Sequence, residues 1–430
     1  MKYIFKRLVT FIIQYEAKLV LRKYKPKIIA VIGSVGKTTT KDSIYTVLKN
    51  EFFVRKSEKS FNSEIGVPLT ILGLENAWTS PFLWAKNIFE GLVLVFLKND
   101  YPDWLVLEVG ADHPGDVRNL STWIEVDVVV ITRLPEVPVH VEFFSSPEAV
   151  VEEKVSIVDS LKSDGTLVLN IDDEKIASLR ERFSNKKIIT FGLGKGHDIG
   201  ASHAGTISNQ KKPTGARFHL RVHDGDLPLE LPGVLGRQHI YPTLAGAAVG
   251  VALGLGPGVI QEAYKSHEPA PGRMRILEGI KETTIIDDTY NSSPVAVEEA
   301  LNVMGDLHID GRKIVVLGDM LELGKYSIDE HKKLGKQVAE ISDILLTVGF
   351  RARDIAQGAL QNKMHGSKIF QYEDVKRAGK ELEYMLEGGD VVLIKGSQGI
   401  RLEKVVEEIM KEPEKKQELL VRQDKAWKNR

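Results

Sequence analysis

A glycine-rich turn followed by lysine and threonine is the part of the sequence best suited to chemistry. The apolar run Ile28–Ile32 leads directly into the turn, whose spacing G-x-x-G-K-T is shorter than the general G-x-x-x-x-G-K-[ST] motif. Glycines let backbone N–H groups converge on phosphate oxygens, and the N-terminus of the next helix adds partial positive charge. We expect Lys37 to reach the β- and γ-phosphates and the Thr38 hydroxyl to ligate Mg²⁺. The residues predicted to bind nucleotide here are Gly33, Ser34, Val35, Gly36, Lys37, Thr38 and Thr39.

Phosphoryl transfer also needs groups that hold metal near the transferred phosphate. Glu108 lies in the apolar run Trp104–Val109, and ligands of open α/β sheets lie beyond the carboxyl ends of the strands. His140 follows the run Val126–Thr132 across a proline-containing loop. Each has an ordinary alternative, since Glu108 could be a solvated acid at a strand end and His140 a plain loop histidine. Lys154, on a predicted helix, would by itself be an ordinary surface lysine.

Short apolar runs that alternate with amphipathic helices must position these residues. This pattern is typical of a mostly parallel sheet with helices on both faces. The predicted fold class is therefore α/β, with a phosphate-loop central domain that has a mostly parallel sheet and a Rossmann-like C-terminal α/β domain. The best linker candidate is Ser266–Gly272, which holds two prolines and a glycine. The predicted parts are a basic amphipathic helix at 1–26, an ATP-binding central domain at 27–268 with a β-rich insertion at about 194–236, a C-terminal domain at 269–412, and a charged tail at 413–430. We expect the tail to be a frayed helix or disordered.

The composition is that of a globular protein, with 43% hydrophobic and 27% charged residues. The length of 430 residues suggests about three domains. A formal net charge of −1 argues against binding nucleic acid with the whole protein surface. The absence of cysteine excludes disulfides, zinc–thiolate sites, iron–sulfur clusters and a cysteine nucleophile, and it fits a reducing cytoplasm.

Residues 1–27 are strongly basic, with eight Lys/Arg and a single acid, Glu16. Their apolar residues recur at helical spacing, which predicts an amphipathic helix; they are Ile4, Leu8, Phe11, Ile12, Tyr15 and Leu19. This helix could lie on an anionic membrane surface or pack on its own domain, and the sequence leaves both open. We expect the second apolar stretch, Phe82 to Leu97, to be a buried helix rather than another membrane-contacting element. Neither stretch is long enough to predict a spanning helix, and no signal peptide is recognised.

Several ordered blocks together make the sequence resemble the Mur ligase family, and within it the branch that adds D-Ala-D-Ala to a UDP-N-acetylmuramoyl-tripeptide (MurF type). The block Leu107–Gly115, similar to E-x-G-A-N-H-P-G, is particularly suggestive of this branch. The resemblance covers about residues 28–410. The other blocks are Gly33–Thr39, Phe61–Thr70, Pro271–Met274, Ile286–Asn291, Leu317–Gly324 and Lys395–Ser397.

The resemblance implies ATP-dependent amide-bond formation. ATP phosphorylates a substrate carboxylate, and an incoming amine then displaces phosphate from the acyl phosphate. The implied catalytic and metal-binding residues are Lys37, Thr38, Glu108, His140 and Lys154. The last matches a lysine that some family members carbamylate, which turns an ammonium into an anion able to serve a second Mg²⁺; for this chain it is a hypothesis.

Residues of the second half are implied to close over ATP and exclude the water that would hydrolyse an acyl phosphate. They are Arg273, Asp288 and Asn291. The sequence also departs from the family pattern, since Arg133 replaces an asparagine and His239 and Pro242 stand where two asparagines lie near the adenine. Adenine contacts are therefore expected to differ, with His239 among them. In the family an N-terminal domain grips the UDP-sugar, whereas here only the basic helix precedes the loop strand. Two alternatives stay open: the UDP-sugar is not recognised, or it is recognised by other surfaces.

The leading hypothesis is thus a D-Ala-D-Ala-adding ligase of peptidoglycan-precursor synthesis, with ATP and Mg²⁺ as cofactors. Two alternatives stay open: another acid–amino acid ligase of the superfamily, folylpolyglutamate-like or polymer-forming, and a non-ligase ATPase switch recruited to a membrane. The expected partners are small peptide-nucleotide and dipeptide substrates, without nucleic acid. We expect a cytoplasmic monomer, with contact at the inner face of the membrane through residues 1–27 as an open alternative.

Overall fold

A computed structural model describes residues 3–57, 61–78, 80–222, 225–424 and 427. The first half alternates helices and strands around one sheet. Its helices are α1 (Tyr3–Tyr24), α2 (Lys37–Leu48), α3 (Gly66–Leu72), α4 (Pro81–Phe96), α5 (Asp116–Ser121), α6 (Pro147–Val155), α7 (Glu174–Arg182), α8 (Arg237–Ala252) and α9 (Pro257–Tyr264). Its strands are β1 (Lys27–Ile32), β2 (Val54–Lys56), β3 (Trp104–Glu108), β4 (Val126–Ile131), β5 (Leu161–Asn170), β6 (Lys187–Gly192), β7 (Ile199–Asn209), β8 (Lys212–Val222) and β9 (Gly225–Pro232).

The second half is built around a separate sheet. Its strands are β10 (Arg275–Glu278), β11 (Thr284–Asp288), β12 (Lys313–Gly318), β13 (Ile344–Val348), β14 (Ile369–Tyr372) and β15 (Val391–Lys395). Its helices are α10 (Pro294–Asp306), α11 (Ser327–Ile341), α12 (Arg353–Gln361), α13 (Val375–Met385), α14 (Glu403–Ile409) and α15 (Lys416–Leu419).

Across the described ranges the first sheet has nine strands in the order β2-β3-β1-β4-β5-β6-β7-β8-β9. The strands are parallel from β2 to β7, and β8 and β9 add antiparallel pairs at one edge. Strand β1 lies between β3 and β4, so the chain order reverses on either side of it. Such a reversal opens a crevice beyond the strand ends, and the predicted phosphate loop lies there.

The second sheet, counted over the same residues, has six strands in the order β10-β11-β15-β12-β13-β14. Only β10 runs antiparallel to its neighbour. Fully buried aliphatic runs such as Ile29–Ile32 and Val392–Ile394 form the centres of the two sheets, as expected of parallel strands covered on both faces. The α/β fold class is confirmed, while the exact domain bounds stay a prediction.

Helix α1 packs on the first half, but not through the apolar row that its spacing predicted. The buried residues are Val9, Ile13, Ala17 and Val20, whereas Leu8, Phe11 and Tyr15 of the predicted row are exposed. Ile12 and Leu19 of that row are half-buried, and the side chain of Ile4 lies outside the described part of the chain. The helix has two apolar faces, and the helical spacing of apolar residues does not predict which of the two packs against the core. Among the described residues no helix combines the length and apolar character needed to cross a bilayer.

The expected buried helix at Phe82–Leu97 forms as α4, yet its burial was predicted wrongly. Only Trp84, Asn87 and Gly91 are buried along it, and its outer side remains in solvent.

Of the two expectations for the tail, a frayed helix or disorder, disorder is wrong for the described residues, which include the short helix α15. Leu420 is buried, and Arg422 pairs with the buried Glu403 at 2.8 Å. The guanidinium of Arg422 also donates to the carbonyls of Thr289 and Tyr290, at 2.5 and 2.8 Å. The charged residues of the tail, which suggested disorder, thus have partners on α14 and on the loop after β11.

Candidate active site

The glycine-rich turn forms a cradle between β1 and α2. Gly36 adopts a left-handed conformation with φ 82° just before the first helical residue. Gly33 has φ 145°, and a Cβ atom there would lie 2.1 Å from the Thr132 hydroxyl, so no other residue fits. The Lys37 ammonium donates to the Gly33 carbonyl at 2.9 Å, which folds the side chain back over the turn. Backbone donors, a helix N-terminus and a lysine thus converge as phosphate binding requires.

Oxygen atoms suited to Mg²⁺ lie beside the cradle. The Thr38 hydroxyl donates to Glu108 Oε2 at 2.8 Å, and the Asn62 side-chain amide donates to Glu108 Oε1 at 3.4 Å. Glu108 is buried at the end of β3, one strand away from the loop. In the described part of the chain no three His, Asp or Glu residues cluster as a metal cage. A hydroxyl and one carboxylate still fit Mg²⁺, which protein sites hold with one or two carboxylates, substrate phosphates and water.

Two lysines line the cavity beside the cradle from different helices. Burial lowers the pKa of Lys37, opposed by the charges of Glu108 and Asp112. Lys154, on α6, is buried too, and desolvation and then the nearby Lys37 ammonium lower its pKa to about 7. Within the described residues the Lys154 side chain makes no hydrogen bond or ion pair. An uncompensated buried amine beside a phosphate site indicates a group kept for function rather than stability.

His140 bridges the two halves of the chain. It has φ 69°, and its ring nitrogens lie 3.4 Å from Asp112 Oδ1 and 2.7 Å from Glu322 Oε2. Glu322 follows β12 in the second half, and its hydrogen bond with His140 lowers the pKa of the Glu322 carboxyl. The sequence predicted His140 as a metal or phosphate contact, and the structure pairs it with two carboxylates at the rim of the same cavity.

The second half contributes a lid over the cradle. The Arg273 guanidinium stacks 4.0 Å from the centre of the Tyr290 ring. The Lys395 ammonium pairs with Asp288 at 2.7 Å and donates to the Asn291 carbonyl at 3.0 Å.

His239 connects α8 to this lid, because its Nε2 lies 2.8 Å from the Arg273 carbonyl oxygen. Burial lowers the pKa of His239 to about 4, so the ring is neutral at physiological pH and Nε2–H is the donor. Its Nδ1 is buried and has no partner among the described residues.

One cavity of about 320 Å³ collects nearly every residue that the sequence singled out. Gly33 supports the turn from beneath and is not among the lining residues, while Thr39 lines the cavity from α2. Sequence reasoning gave no role to Asn62, Asp112 or Lys395, although all three lie inside the blocks that carried the resemblance. Their position in those blocks was the signal that could have found them. The predicted site residues that line the cavity are Ser34, Val35, Gly36, Lys37, Thr38, Thr39, Glu108, His140, Lys154, His239, Arg273, Asp288 and Asn291.

Comparison with known proteins agrees with this geometry. Residues 90–250 match the Mur ligase middle domain, and residues 272–398 match the Mur ligase glutamate ligase domain. The UDP-N-acetylmuramoyl-tripeptide–D-alanyl-D-alanine ligase of Bacillus subtilis is 29% identical over 403 residues, which are 93% of this chain and 79% of that protein. The corresponding ligase of Buchnera aphidicola (subsp. Baizongia pistaciae) is 27% identical over 90% of this chain and 75% of its own length.

A solved structure extends the likeness to three dimensions. The MurF ligase of Thermotoga maritima, crystallised in complex with ADP, superposes with a TM-score of 0.76 at 27% identity, over 95% of this chain and 84% of that one. Three findings support one conclusion: two domains of this chain match Mur ligase domains, a relative aligns along most of the chain, and the fold is shared. The chain belongs to the Mur ligase family of ATP-dependent, ADP-forming ligases.

Proposed function

We propose that this protein ligates D-Ala-D-Ala to a UDP-N-acetylmuramoyl-tripeptide with hydrolysis of ATP to ADP, in the synthesis of peptidoglycan precursors. The observation that carries the proposal is the single cavity in which the phosphate cradle of the first half meets Arg273, Asp288 and Lys395 of the second. The relatives that align along most of the chain bear this activity in their names. Glu108, His140 and Lys154 together line the cavity, and a switch ATPase would not need the whole set.

The roles of the site residues follow from their charges and positions. Lys37 neutralises phosphate oxygens, and Asn62 orients the Glu108 carboxylate by its hydrogen bond. Thr38 and Glu108 would hold Mg²⁺, which offsets the negative charge of the phosphates when it is bound. Arg273 on Tyr290 covers the cavity from the other half, and the covered site keeps water away from the acyl phosphate.

A carbamate on Lys154 is part of the proposal. Its support is the burial of an amine that has no partner among the described residues, close to the Lys37 ammonium. Carbon dioxide adds to the neutral amine, and the carbamate anion that forms after loss of a proton would balance the positive charge of Lys37. Native mass spectrometry with and without bicarbonate tests it: we expect a gain of one CO₂ that Lys154→Met abolishes, and an unmodified Lys154 in fully active enzyme would contradict it.

The reaction itself is tested with purified protein, ATP, UDP-N-acetylmuramoyl-tripeptide and D-Ala-D-Ala. We expect phosphate release that depends on both substrates and an adduct with the mass of the pentapeptide product. Glutamate in place of the dipeptide distinguishes the folylpolyglutamate-like alternative. Phosphate release that no amine accelerates, without any amide product, would favour an ATPase switch and refute the ligase.

The cell compartment is also a proposal. ATP and nucleotide-linked peptides are intracellular metabolites, so we place the enzyme in the cytoplasm, as a monomer with small-molecule substrates. We also propose a central domain at 27–268 and a C-terminal domain at 269–412, with their boundary inside Ser266–Gly272; two separate sheets support this division. The expected membrane contact of residues 1–27 would have to use the outer face of α1.

A further inference from the structure

Helix α4 exposes a row of aromatic side chains along its whole length. Phe82, Phe89 and Phe96 are 78%, 67% and 77% exposed. Residues seven apart lie on one face of a helix, so the three rings form a line, with Leu92 exposed beside it. The buried residues Trp84, Asn87 and Gly91 face the other way. Monomeric soluble proteins rarely leave so large an apolar surface uncovered.

Helix α1 presents a second exposed apolar row. Leu8, Phe11 and Tyr15 lie on the side of the helix opposite Val9 and Ile13, which are buried. The rings of Phe11 and Tyr15 stack with centroids 6.5 Å apart. The row lies on the helix that carries five of the eight Lys/Arg of residues 1–27.

The two helices form one rigid surface. The Lys23 ammonium donates to the carbonyls of Leu94 and Val95 at 2.9 and 3.0 Å and so binds the C-terminal end of α4. At the middle of the contact the Glu16 carboxylate approaches Gly91 so closely that a Cβ atom there would lie 2.1 Å from Oε2. Both helices cover the same core cluster with their inner faces, so their outer rows point away from the core on one side of the molecule.

The positive charge around these two apolar rows indicates what kind of partner binds them. Five of the eight Lys/Arg of residues 1–27 lie on α1, and the one acid, Glu16, is buried and contributes nothing to the outer surface. The Lys23 ammonium is bound to α4 and Lys6 pairs with Glu64 at 3.2 Å, so the remaining basic residues of the helix are Arg7, Lys18 and Arg22. A second copy of the chain would bring the same positive charge against itself, at an electrostatic cost. An anionic lipid surface supplies the opposite charge together with an apolar layer that accepts aromatic rings at the headgroup level.

We propose that α1 and α4 together form a docking surface for an anionic lipid bilayer, with the aromatic row of α4 inserted among the lipids and the remaining basic residues of α1 on the headgroups. The surface lies outside the ATP cavity and does not depend on the ligase reaction. It extends beyond residues 1–27, because α4 supplies most of the exposed apolar rings.

Vesicle flotation with the full-length protein tests the proposal. We expect binding to phosphatidylcholine vesicles that contain phosphatidylglycerol, weaker binding to phosphatidylcholine alone, and weakening by salt. The combined variant Phe82→Ser, Phe89→Ser and Phe96→Ser should lower partitioning at least ~10-fold, since each ring loses its apolar contact with lipid. The variant removes only exposed rings, so its ATP turnover should equal that of the wild type.

The matched control is Phe350→Ser, which removes a ring that is 74% exposed in the second half, away from this surface. It should leave vesicle binding unchanged. Equal partitioning of the triple variant and the wild type, or no preference for anionic vesicles, would overturn the proposal. So would a concentration-dependent dimer that the triple variant abolishes in the absence of vesicle binding, because the face would then be an interface between copies.

Discussion

Lys37 carries the phosphate-binding charge of the site at the first turn of α2. Its ammonium is buried near Glu108 and Asp112 and is held to the turn by the Gly33 carbonyl. We expect Lys37→Ala to reduce ATP turnover by at least roughly 100-fold, since a preorganised charge on the phosphates is lost. A coupled assay for ADP measures it, with Lys265→Ala, on an exposed lysine at the end of α9, as the control. Turnover close to wild type would contradict the assignment of the cradle.

Lys154 illustrates a conflict between stability and function in one side chain. Its pKa falls from 10.5 to about 7 on folding, so unfolding takes up a proton and stability rises with pH between these values. Replacing a buried, unpaired amine with an apolar chain of similar size removes that penalty.

In buffer freed of bicarbonate, where Lys154 carries no carbamate, we therefore expect unfolding of Lys154→Met at pH 7 to cost roughly 2–4 kcal/mol more than that of the wild type, while amide formation is lost. Urea unfolding at pH 7 and at pH 10 measures it, and the gain should be smaller at the higher pH. A variant less stable than the wild type in this buffer would mean that the unmodified Lys154 amine makes a stabilising contact.

At the scale of elements, a buried acid makes the stability of the contact between α1 and α4 depend on pH. Glu16 has no hydrogen-bond partner among the described residues, and burial raises the pKa of its carboxyl from 4.5 to about 7. Unfolding therefore releases a proton between these pH values, and the stability of the contact falls as the pH rises through that window. Above pH 7 the penalty is constant at roughly 3 kcal/mol.

Glu16→Gln should abolish this pH dependence and protect α1 at pH 7.5. Hydrogen exchange of the α1 amides at pH 5 and pH 7.5, corrected for intrinsic rates, is the measurement. The wild-type helix should open more readily at the higher pH, and the variant should not. Equal protection of the wild-type helix at both pH values would show that Glu16 finds a partner or water.

The docked tail is a second element whose effect reaches the site. Arg422 joins Glu403 to the carbonyls of Thr289 and Tyr290, and the Tyr290 ring supports Arg273. Arg422→Ala removes one of the two arginines that pair with the buried Glu403 carboxylate, since Arg401 remains at 2.5 Å, and it frees the loop beneath Arg273.

We expect this variant to raise the KM for ATP by about 10-fold with a smaller change in kcat, because it disturbs positioning rather than chemistry. Lys411→Ala, which breaks the exposed pair with Glu278, is the control and should change neither value. An unchanged KM for Arg422→Ala would show that the lid is positioned without the tail.

On the scale of the whole molecule, the active cavity exists only where the two halves meet. Arg133, which replaces an asparagine of the family pattern, forms an ion pair with Glu299 of α10. His140 and Glu322 form a second link across the same boundary. These pairs hold the cradle of the first half to the lid of the second half.

A double-mutant cycle on Arg133→Ala and Glu299→Ala tests this role through kcat/KM for ATP. Each single variant should lose about 5-fold, and the double variant little more than either one, which is a coupling energy of about 1 kcal/mol. The exposed pair Arg353–Glu373, within the second half, should show no coupling in the same assay. Additive losses would mean that the pair does not link the halves during catalysis.

The sequence by itself determined the phosphate loop, the α/β fold class and the family, because each depends on a local pattern. The loop follows from the glycine spacing before Lys-Thr, the fold class from the aliphatic runs, and the family from the short ordered blocks. It could not place Arg422 against Tyr290, or His140 against Glu322, since their partners lie more than a hundred residues away along the chain.

The tertiary structure alone decided which apolar residues are covered. Val9 and Phe11 are equally apolar in the sequence, and only the packing of α1 against the core buries one and exposes the other. The same holds for Trp84 and Phe89 on α4. The spacing of apolar residues predicts that a helix forms and which residues share one of its faces. It does not predict which face is buried, because the free energy of burial depends on the residues from distant parts of the chain that pack against that face.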